Sequence, residues 1–129
     1  MEKELKKAAG VLIVARESGR IFLLYRAPDN KVGSVWGLLS GTMEGDEEPL
    51  ETIKRETYEE IKVNPNKIDY YFNGEEERSD GLIFYYFLGF VDFEFEPELN
   101  EENSDSGWFK KDELPEPLFP GLKEKINRL

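Results

Sequence analysis

A helix predicted over residues 50–62 constrains the fold more than any other stretch of this sequence. Pro49 suits its first turn, where a proline costs no intrahelical hydrogen bond, and the acidic residues before it favour the positive end of the helix dipole. The apolar face follows the helical repeat, at Leu50, Ile53, Thr57 and Ile61. A face of this kind has to pack against a sheet or another helix.

The same helix carries three carboxylates, because Glu56, Glu59 and Glu60 stand at positions i, i+3 and i+4. At about 100° per residue they fall within roughly a third of the helix circumference. They repel one another unless a divalent cation or an arginine neutralises them, whereas an acidic stripe in solvent is the ordinary alternative. A glycine-rich segment, residues 29–49, leads into the helix and brings backbone groups close to the acids.

The sequence contains no cysteine and no histidine. Zinc sites with nitrogen or sulfur ligands, cysteine nucleophiles and Ser-His-Asp triads are therefore excluded. Any metal must be held by oxygen atoms, which points to Mg²⁺, Mn²⁺ or Ca²⁺. A general base is to be sought first among the carboxylates.

The chain carries 17 basic and 28 acidic residues, which gives a formal net charge of −11. Binding to long nucleic acid is not expected, because it requires lysine and arginine facing the phosphates. An acidic protein that handles phosphates needs positive charge from elsewhere, and a divalent metal is the obvious source. With neither an apolar run of 18 residues nor an apolar signal segment, we expect no membrane contact and a cytoplasmic location. The length predicts a single domain over residues 1–129.

Strands and helices alternate irregularly, which predicts an α/β fold with a mixed sheet covered by helices on both faces. A hairpin is predicted over residues 10–28, with its turn at 17–20, and the glycine-rich segment holds at most a short strand. The other predicted elements are a strand at 66–74, a long strand at 82–96, an acidic loop at 97–107, a turn at 108–117 and a helix at 119–129.

Residues 41–63 resemble the Nudix box, G-x5-E-x7-R-E-U-x-E-E-x-G-U, in which U is a bulky aliphatic residue. Six fixed positions and the final aliphatic position match, at Gly41, Glu47, Arg55, Glu56, Glu59, Glu60 and Val63. Thr57 replaces an aliphatic residue of the box, and Lys62 replaces a glycine that ends the helix in a left-handed conformation. We expect Lys62 to adopt that conformation at a cost of about 1 kcal/mol, or the helix to end differently.

The resemblance covers most of the chain and implies a Nudix-type α/β/α sandwich. The stretch VWGLLSGTME is similar to the approach to the box in that family, with Ser40 where many members have glycine and Glu44 at a frequently acidic position. The later stretch EENSDSGWFKKDELP places Glu102 six residues before Trp108, as in the family. Asn103 stands where several members carry histidine.

The family implies hydrolysis of a nucleoside diphosphate linked to another moiety, by attack of water at phosphorus, with Mg²⁺ as cofactor and Mn²⁺ as the alternative. It implies that Glu47 and Arg55 form a structural pair that orients the loop against the helix. The implied metal ligands are Glu56, Glu60, Glu59 and the carbonyl group of Ser40.

The general base is open, because family members recruit it either from the box or from a later loop. Glu102 is the loop candidate for base or metal ligand, and Glu101 competes with it if the loop is shifted by one residue. The predicted catalytic residues are Glu56, Glu59, Glu60 and Glu102. The predicted substrate contacts are Arg26, Trp36 and Glu44. Five aromatic residues could stack on a base, although aromatics in strands are more often core: Trp36, Tyr71, Phe72, Tyr85 and Trp108.

Two other classes of function compete with hydrolysis. A Nudix-fold module that binds a nucleotide without turnover is favoured by Thr57 and Lys62 and opposed by the complete set of glutamates. An acidic Ca²⁺-binding protein is opposed by the spacing of the acids, which does not follow the EF-hand pattern. The expected partner is a small nucleotide, and nucleoside triphosphates, dinucleoside polyphosphates, sugar nucleotides and capped RNA ends all stay open, as does a homodimer.

Overall fold

The computed structural model describes residues 6–26 and 34–129. Within these ranges the strands are β1 (Lys7–Ala15), β2 (Ile21–Arg26), β3 (Trp36–Gly37), β4 (Leu39–Thr42), β5 (Asp69–Glu77), β6 (Ile83–Val91) and β7 (Asn103–Phe109). The helices are α1 (Pro49–Ile61) and α2 (Leu122–Asn127), and a 3₁₀ turn covers Pro65–Lys67.

Strand β1 lies inside the sheet and pairs with three other strands. It runs parallel to β6 along its whole length, from the pair Lys7–Ile83 to the pair Ala15–Val91. Its other edge is shared, because β4 pairs with its first half and β2 with its second half, both antiparallel. Strand β5 extends the sheet beyond β6, and β7 pairs with the free edge of β2. The mixed sheet of the α/β prediction is confirmed.

Helices cover the two faces of this sheet, and the alternation of side chains along the strands explains why. Successive residues point to opposite faces, so Ile13 packs towards α1 and its neighbour Leu12 towards α2. Helix α1 contributes Ile53 and Ile61 to the first layer. The second layer receives Leu122 and Ile126 from α2. Strands β1 and β2 are buried on both faces and therefore appear in the sequence as continuous apolar runs.

Several boundaries differ from the sequence predictions, among them those of α2, which covers Leu122–Asn127 rather than residues 119–129. Strand β7 covers residues 103–107 of the predicted acidic loop, because it forms on the edge of β2 without an apolar alternation of its own. The strand predicted over 82–96 ends at Val91, where pairing with β1 stops. Strand β5 covers Asp69–Glu77 rather than the predicted 66–74, because Pro65–Lys67 forms a 3₁₀ turn and pairing with β6 continues to Glu77. Residues 27–33, which include the end of the predicted hairpin, lie outside the described ranges.

Helix α1 ends in the left-handed conformation that the Nudix box reserves for glycine. Lys62 has φ 58° and ψ 25°, and its amide donates to the carbonyl oxygen of Tyr58. Its ammonium group lies 4.9 Å from the centre of the Tyr58 ring. Lys62 therefore adopts the left-handed conformation, which was the first of its two expected outcomes. The helix end keeps its shape at the cost of local backbone strain.

Lys62→Gly is expected to raise the free energy of unfolding by about 0.5 to 1 kcal/mol. The glycine removes a left-handed strain of about 1 to 2 kcal/mol, but it also makes the unfolded chain more flexible. Thermal unfolding followed by circular dichroism measures the difference. Lys62→Ala is the control, since it removes the contact with Tyr58 and keeps the strain. An equal gain in both variants would contradict the backbone explanation.

Candidate functional site

Three carboxylates converge at the last turns of α1. One oxygen from each of Glu56, Glu60 and Glu102 lies within 4.8 Å of the others. Glu56 and Glu60 are buried, whereas Glu102 is exposed at the rim of the cluster. Glu56 and Glu60 are one helical turn apart, whereas Glu102 belongs to a segment more than 40 positions further along the chain.

The segment before β7 is fixed to the end of α1 by backbone hydrogen bonds. The amide of Glu98 donates to the carbonyl of Ile61 at 3.0 Å, and the amide of Asn100 donates to that of Glu60 at 3.1 Å. These carbonyls have no partner within the helix, so the segment satisfies them while it docks. Asn100 also accepts the amide of Glu102 through its side chain. This docking brings Glu102, rather than Glu101, to the two helical acids.

Glu60 is the most deeply buried acid of the cluster, with a relative exposure of 1%. One of its oxygens, Oε1, accepts a hydrogen bond from Nδ2 of Asn103 at 3.1 Å. The other, Oε2, has no partner in the described part of the chain. Burial raises the pKa of Glu60 to about 8, and the neighbouring Glu56 acts in the same direction. An unpartnered carboxylate oxygen in a cluster of hard oxygen donors fits a divalent cation of the Mg²⁺ type.

Glu56 lies against the backbone of β4, and this contact explains the glycine at the start of the box. A Cβ atom on Gly41 would stand 2.2 Å from Cδ of Glu56. Burial raises the pKa of Glu56, while the guanidinium group of Arg55 opposes that shift through a hydrogen bond of 2.8 Å to Oε1. Only a residue without a side chain at position 41 allows this carboxylate to approach the strand.

Gly41→Ala is therefore expected to displace the Glu56 carboxylate and to lower the affinity for Mg²⁺ and the rate of turnover by about 100-fold, the typical cost of a misplacement near 1 Å. Metal affinity is measured by isothermal titration calorimetry, and turnover by product chromatography. Gly37→Ala is the matched control for Mg²⁺ affinity, because its Cβ would meet its nearest neighbour at an ordinary 3.8 Å. Equal losses in the two variants would show that the effect is not specific to the carboxylate.

Arg55 joins the glycine-rich segment to the acidic face of α1. Its Nε and Nη2 atoms donate to the two oxygens of Glu47 at 2.8 and 3.0 Å. Its Nη1 atom donates to Glu56 at 2.8 Å and to Glu59 at 3.1 Å, and Nη2 also reaches the carbonyl of Thr42. The arginine holds the pKa of Glu47 at about 2, so this acid stays ionised.

The remaining predicted metal ligands and substrate contacts lie in different parts of the site. Glu59 is exposed and bonds to Arg55, outside the three-carboxylate cluster. Ser40 is buried in β4 beside Gly41. Arg26, at the end of β2, lies close enough to lower the pKa of Glu60. Glu44 approaches Nη1 of Arg55 at 3.7 Å and is otherwise exposed.

The aromatic candidates lie mostly away from the cluster. Trp36 packs between Tyr25 and Phe109 on the α2 side of the sheet. Trp108 packs between the rings of Phe22 and Phe95 on the α1 side, and its Nε1 atom donates to a backbone carbonyl. Tyr85 packs partly against the α1 layer, and Tyr71 and Phe72 are exposed on β5, the outer strand beside β6.

Asn103 has a role in the site that its sequence context does not indicate. It is 4% exposed, pairs with Arg26 in the β2–β7 register and holds Glu60 through its amide group. Its position after Glu102 in a polar stretch carries no apolar signal that would indicate burial. The pairing of β7 with β2 is what buries it, and that pairing becomes visible only in the fold.

Comparison with known proteins finds a family model and curated relatives that match this chain. A family model described as NUDIX domain matches residues 4–129. A NAD-capped RNA hydrolase NudC of Chromobacterium violaceum is 30% identical over 81% of this chain and 38% of its own length. A nucleoside triphosphate pyrophosphatase/Nudix hydrolase fusion protein of Bifidobacterium longum is 28% identical over 84% of this chain and 24% of its own length. The chain thus spans well under half of these curated relatives.

The fold has solved counterparts as well. The crystal structure of a MutT NUDIX hydrolase from Burkholderia pseudomallei superposes with a TM-score of 0.76 at 24% identity, covering 98% of this chain and 99% of the other. At that level of identity the likeness concerns the fold alone. Among the residues described here, no helix has the length and apolar character that crossing a membrane requires.

Proposed function

Since the chain belongs to the NUDIX domain family, we propose that it hydrolyses the pyrophosphate bond of a nucleoside diphosphate linked to another moiety, with a divalent cation held at Glu56 and Glu60 and with Glu102 beside it as general base. The observation that carries this proposal is the buried Oε2 atom of Glu60, which has no hydrogen-bond partner within residues 6–26 and 34–129, in a cluster of three carboxylates. The names of two relatives, a nucleoside triphosphate pyrophosphatase/Nudix hydrolase fusion protein and a NAD-capped RNA hydrolase, are in line with this chemistry.

Mg²⁺, with Mn²⁺ as the alternative, supplies the positive charge that this strongly acidic chain needs to accept an anionic anhydride. Glu56 and Glu60 would hold the cation, and each is fixed by a neighbour, Arg55 for the first and Asn103 for the second. Ser40 offers its carbonyl group from the adjacent strand, as the family implies. Fixed carboxylates of this kind lose little freedom on binding a cation.

Glu102 takes the role of general base in this proposal. It is the exposed member of the cluster, so its carboxylate reaches water directly while the two buried acids face inwards. It accepts the proton of the water that attacks phosphorus, and the bridging oxygen of the anhydride leaves with the departing phosphate. Glu59 stays a predicted ligand and catalytic residue, bound to Arg55 in the structure.

The alternative of a nucleotide-binding module without turnover loses its support in the structure. Thr57, one of the two departures from the box, is fully buried and satisfies its hydroxyl group by donating to the carbonyl of Ile53 at 2.7 Å. Lys62, the other, preserves the left-handed helix end. Neither departure displaces an acid of the cluster, so neither indicates an enzyme that has lost its activity.

The test is a panel of nucleoside triphosphates, dinucleoside polyphosphates, sugar nucleotides and capped RNA ends, assayed with Mg²⁺, with Mn²⁺ and with EDTA. We expect hydrolysis of at least one class, with a nucleoside monophosphate or diphosphate among the products and none in EDTA. Tight nucleotide binding without any product over several hours would overturn the proposal in favour of the binding module.

Four broader statements stay predictions: a single domain over residues 1–129, a cytoplasmic location, a small nucleotide as partner and a homodimer. Limited proteolysis tests the first of them, and sedimentation velocity tests the oligomeric state.

A further inference from the structure

A cleft on the α2 side of the sheet carries the opposite charge to the rest of the protein. Three basic side chains line it, Arg26, Arg78 and Lys125, and no carboxylate is among its lining residues. It encloses about 530 Å³ including its open mouth. In a chain with a net charge of −11, this excess of positive charge among the lining residues indicates a site for an anion, although Lys125 also pairs with Glu76 outside the lining.

Two of these cations are held by aromatic rings. The guanidinium carbon of Arg78 lies 4.7 Å from the centre of the Phe84 ring and 5.3 Å from that of Phe119. The ammonium group of Lys125 lies 3.8 Å above the ring of Tyr86 and 3.1 Å from Glu76. No carboxylate of the described residues forms an ion pair with Arg78. A guanidinium group stacked in this way presents its N–H edge to a ligand.

Two residues link the cleft to the carboxylate cluster. Arg26 and Ser40 are among the residues that line it, Arg26 lies close enough to lower the pKa of Glu60, and Gly41, next to Ser40, lies against Glu56. A phosphate chain that starts at the acids and passes Arg26 would enter the cleft and approach Arg78.

We propose that this cleft binds a phosphoryl group that lies beyond the hydrolysed anhydride, with Arg78 as its principal ligand. The inference rests on the proposed function and deepens it, because it selects a substrate class. Nucleotides with three or more phosphates in a row, such as nucleoside triphosphates and dinucleoside polyphosphates, are favoured over sugar nucleotides, whose second phosphate ends in a neutral sugar. A nucleobase is a poorer occupant, since cations already cover the rings of Phe84 and Tyr86.

The first experiment measures binding of inorganic triphosphate in EDTA by isothermal titration calorimetry. Without metal the carboxylate cluster repels the probe, so only the cleft contributes affinity. Arg78→Gln is expected to weaken binding about tenfold, the loss of one charge-assisted contact, and Lys125→Gln to weaken it less because Glu76 shares its charge. Arg16→Gln removes a cation from a distant loop and is expected to change nothing. Unchanged affinity in the Arg78 variant would overturn the proposal.

The second experiment compares substrates. Arg78→Gln is expected to raise KM for triphosphate-containing nucleotides about tenfold without changing kcat, and to leave sugar nucleotides unaffected. Arg78→Met keeps the packing of the side-chain stem against the two rings and serves if the glutamine variant unfolds. Equal losses on both substrate classes would contradict the subsite. If no substrate is turned over but triphosphate binding still depends on Arg78, the proposed function fails and the subsite stands.

Discussion

Glu60→Gln is expected to lower turnover by about 1,000-fold while the protein stays folded. The substitution preserves the shape of the side chain and removes its charge, so the buried Oε2 position can no longer hold a cation. Losing a single preorganised electrostatic contact in an active site typically costs 100- to 1,000-fold. The cost here is placed at the upper end, because Glu60 is the least exposed acid of the cluster.

The same variant is expected to be more stable than the natural protein in the absence of metal. The pKa of Glu60 is raised from 4.5 to about 8 by burial, so the folded state holds the proton over a range where the unfolded state releases it. Stability therefore falls as pH rises from about 4.5 to about 8. At pH 7 the glutamine avoids a penalty on the order of 3 kcal/mol, since one unit of pKa corresponds to about 1.4 kcal/mol.

Urea unfolding in EDTA at pH 5 and pH 8 measures this effect, with the gain expected mainly at pH 8. Added Mg²⁺ is expected to raise the stability of the natural protein and to leave Glu60→Gln unchanged, because a ligand stabilises only the state that binds it. Glu59→Gln is the matched control on the same helix. It is exposed, so it is expected to show no stability gain and a smaller loss of turnover. Full turnover in Glu60→Gln would remove this acid from the site.

Arg55→Ala is expected to destabilise the fold by about 2 to 4 kcal/mol and to reduce turnover as well. The arginine is mostly buried and forms ion pairs with Glu47, Glu56 and Glu59 at the same time. Its removal leaves partly buried carboxylates facing one another without a cation, which is far more costly than losing an ion pair in solvent. The loss of Glu56 orientation then lowers metal affinity.

The pH dependence of stability distinguishes this explanation from a general packing defect. The pKa of Glu47 is about 2 in the folded protein, so its contribution is fully present above pH 4.5 and disappears as pH falls towards 2. In Arg55→Ala, the free energy of unfolding is expected to fall less between pH 4.5 and pH 2 than it does in the natural protein. Arg20→Ala removes a more exposed arginine that pairs with Glu94, and it is expected to cost no more than about 1 kcal/mol. Similar costs for the two arginines would contradict the role given to Arg55.

How much the sequence predicts depends on the range of the interactions involved. Helix α1 and the approach of Glu56 and Glu60 on it follow from local periodicity, whereas the contact between Arg55 and Glu47, eight residues earlier, follows from the resemblance to the Nudix box. The left-handed end of the helix at Lys62 follows from the resemblance to a glycine position. These features need only the geometry of one helix and the loop before it.

The features that the sequence does not predict come from distant parts of the chain. Strand β7 forms because β2 offers a free edge, and this pairing buries Asn103 against Glu60. The basic cleft combines the end of β2, the turn after β5 and helix α2, so no short stretch of sequence contains it. Trp36 stays a predicted substrate contact, and the structure adds that it packs between Tyr25 and Phe109.

The most direct test of the central claim is hydrolysis in ¹⁸O-labelled water, with the products analysed by mass spectrometry. The substrate is the best member of the panel, and the reaction is run with Mg²⁺ and with EDTA. We expect one ¹⁸O atom in one of the two phosphorylated products, label in neither nucleoside nor sugar, and no reaction in EDTA. Label on carbon, or cleavage that proceeds equally without metal, would contradict metal-dependent attack of water at phosphorus.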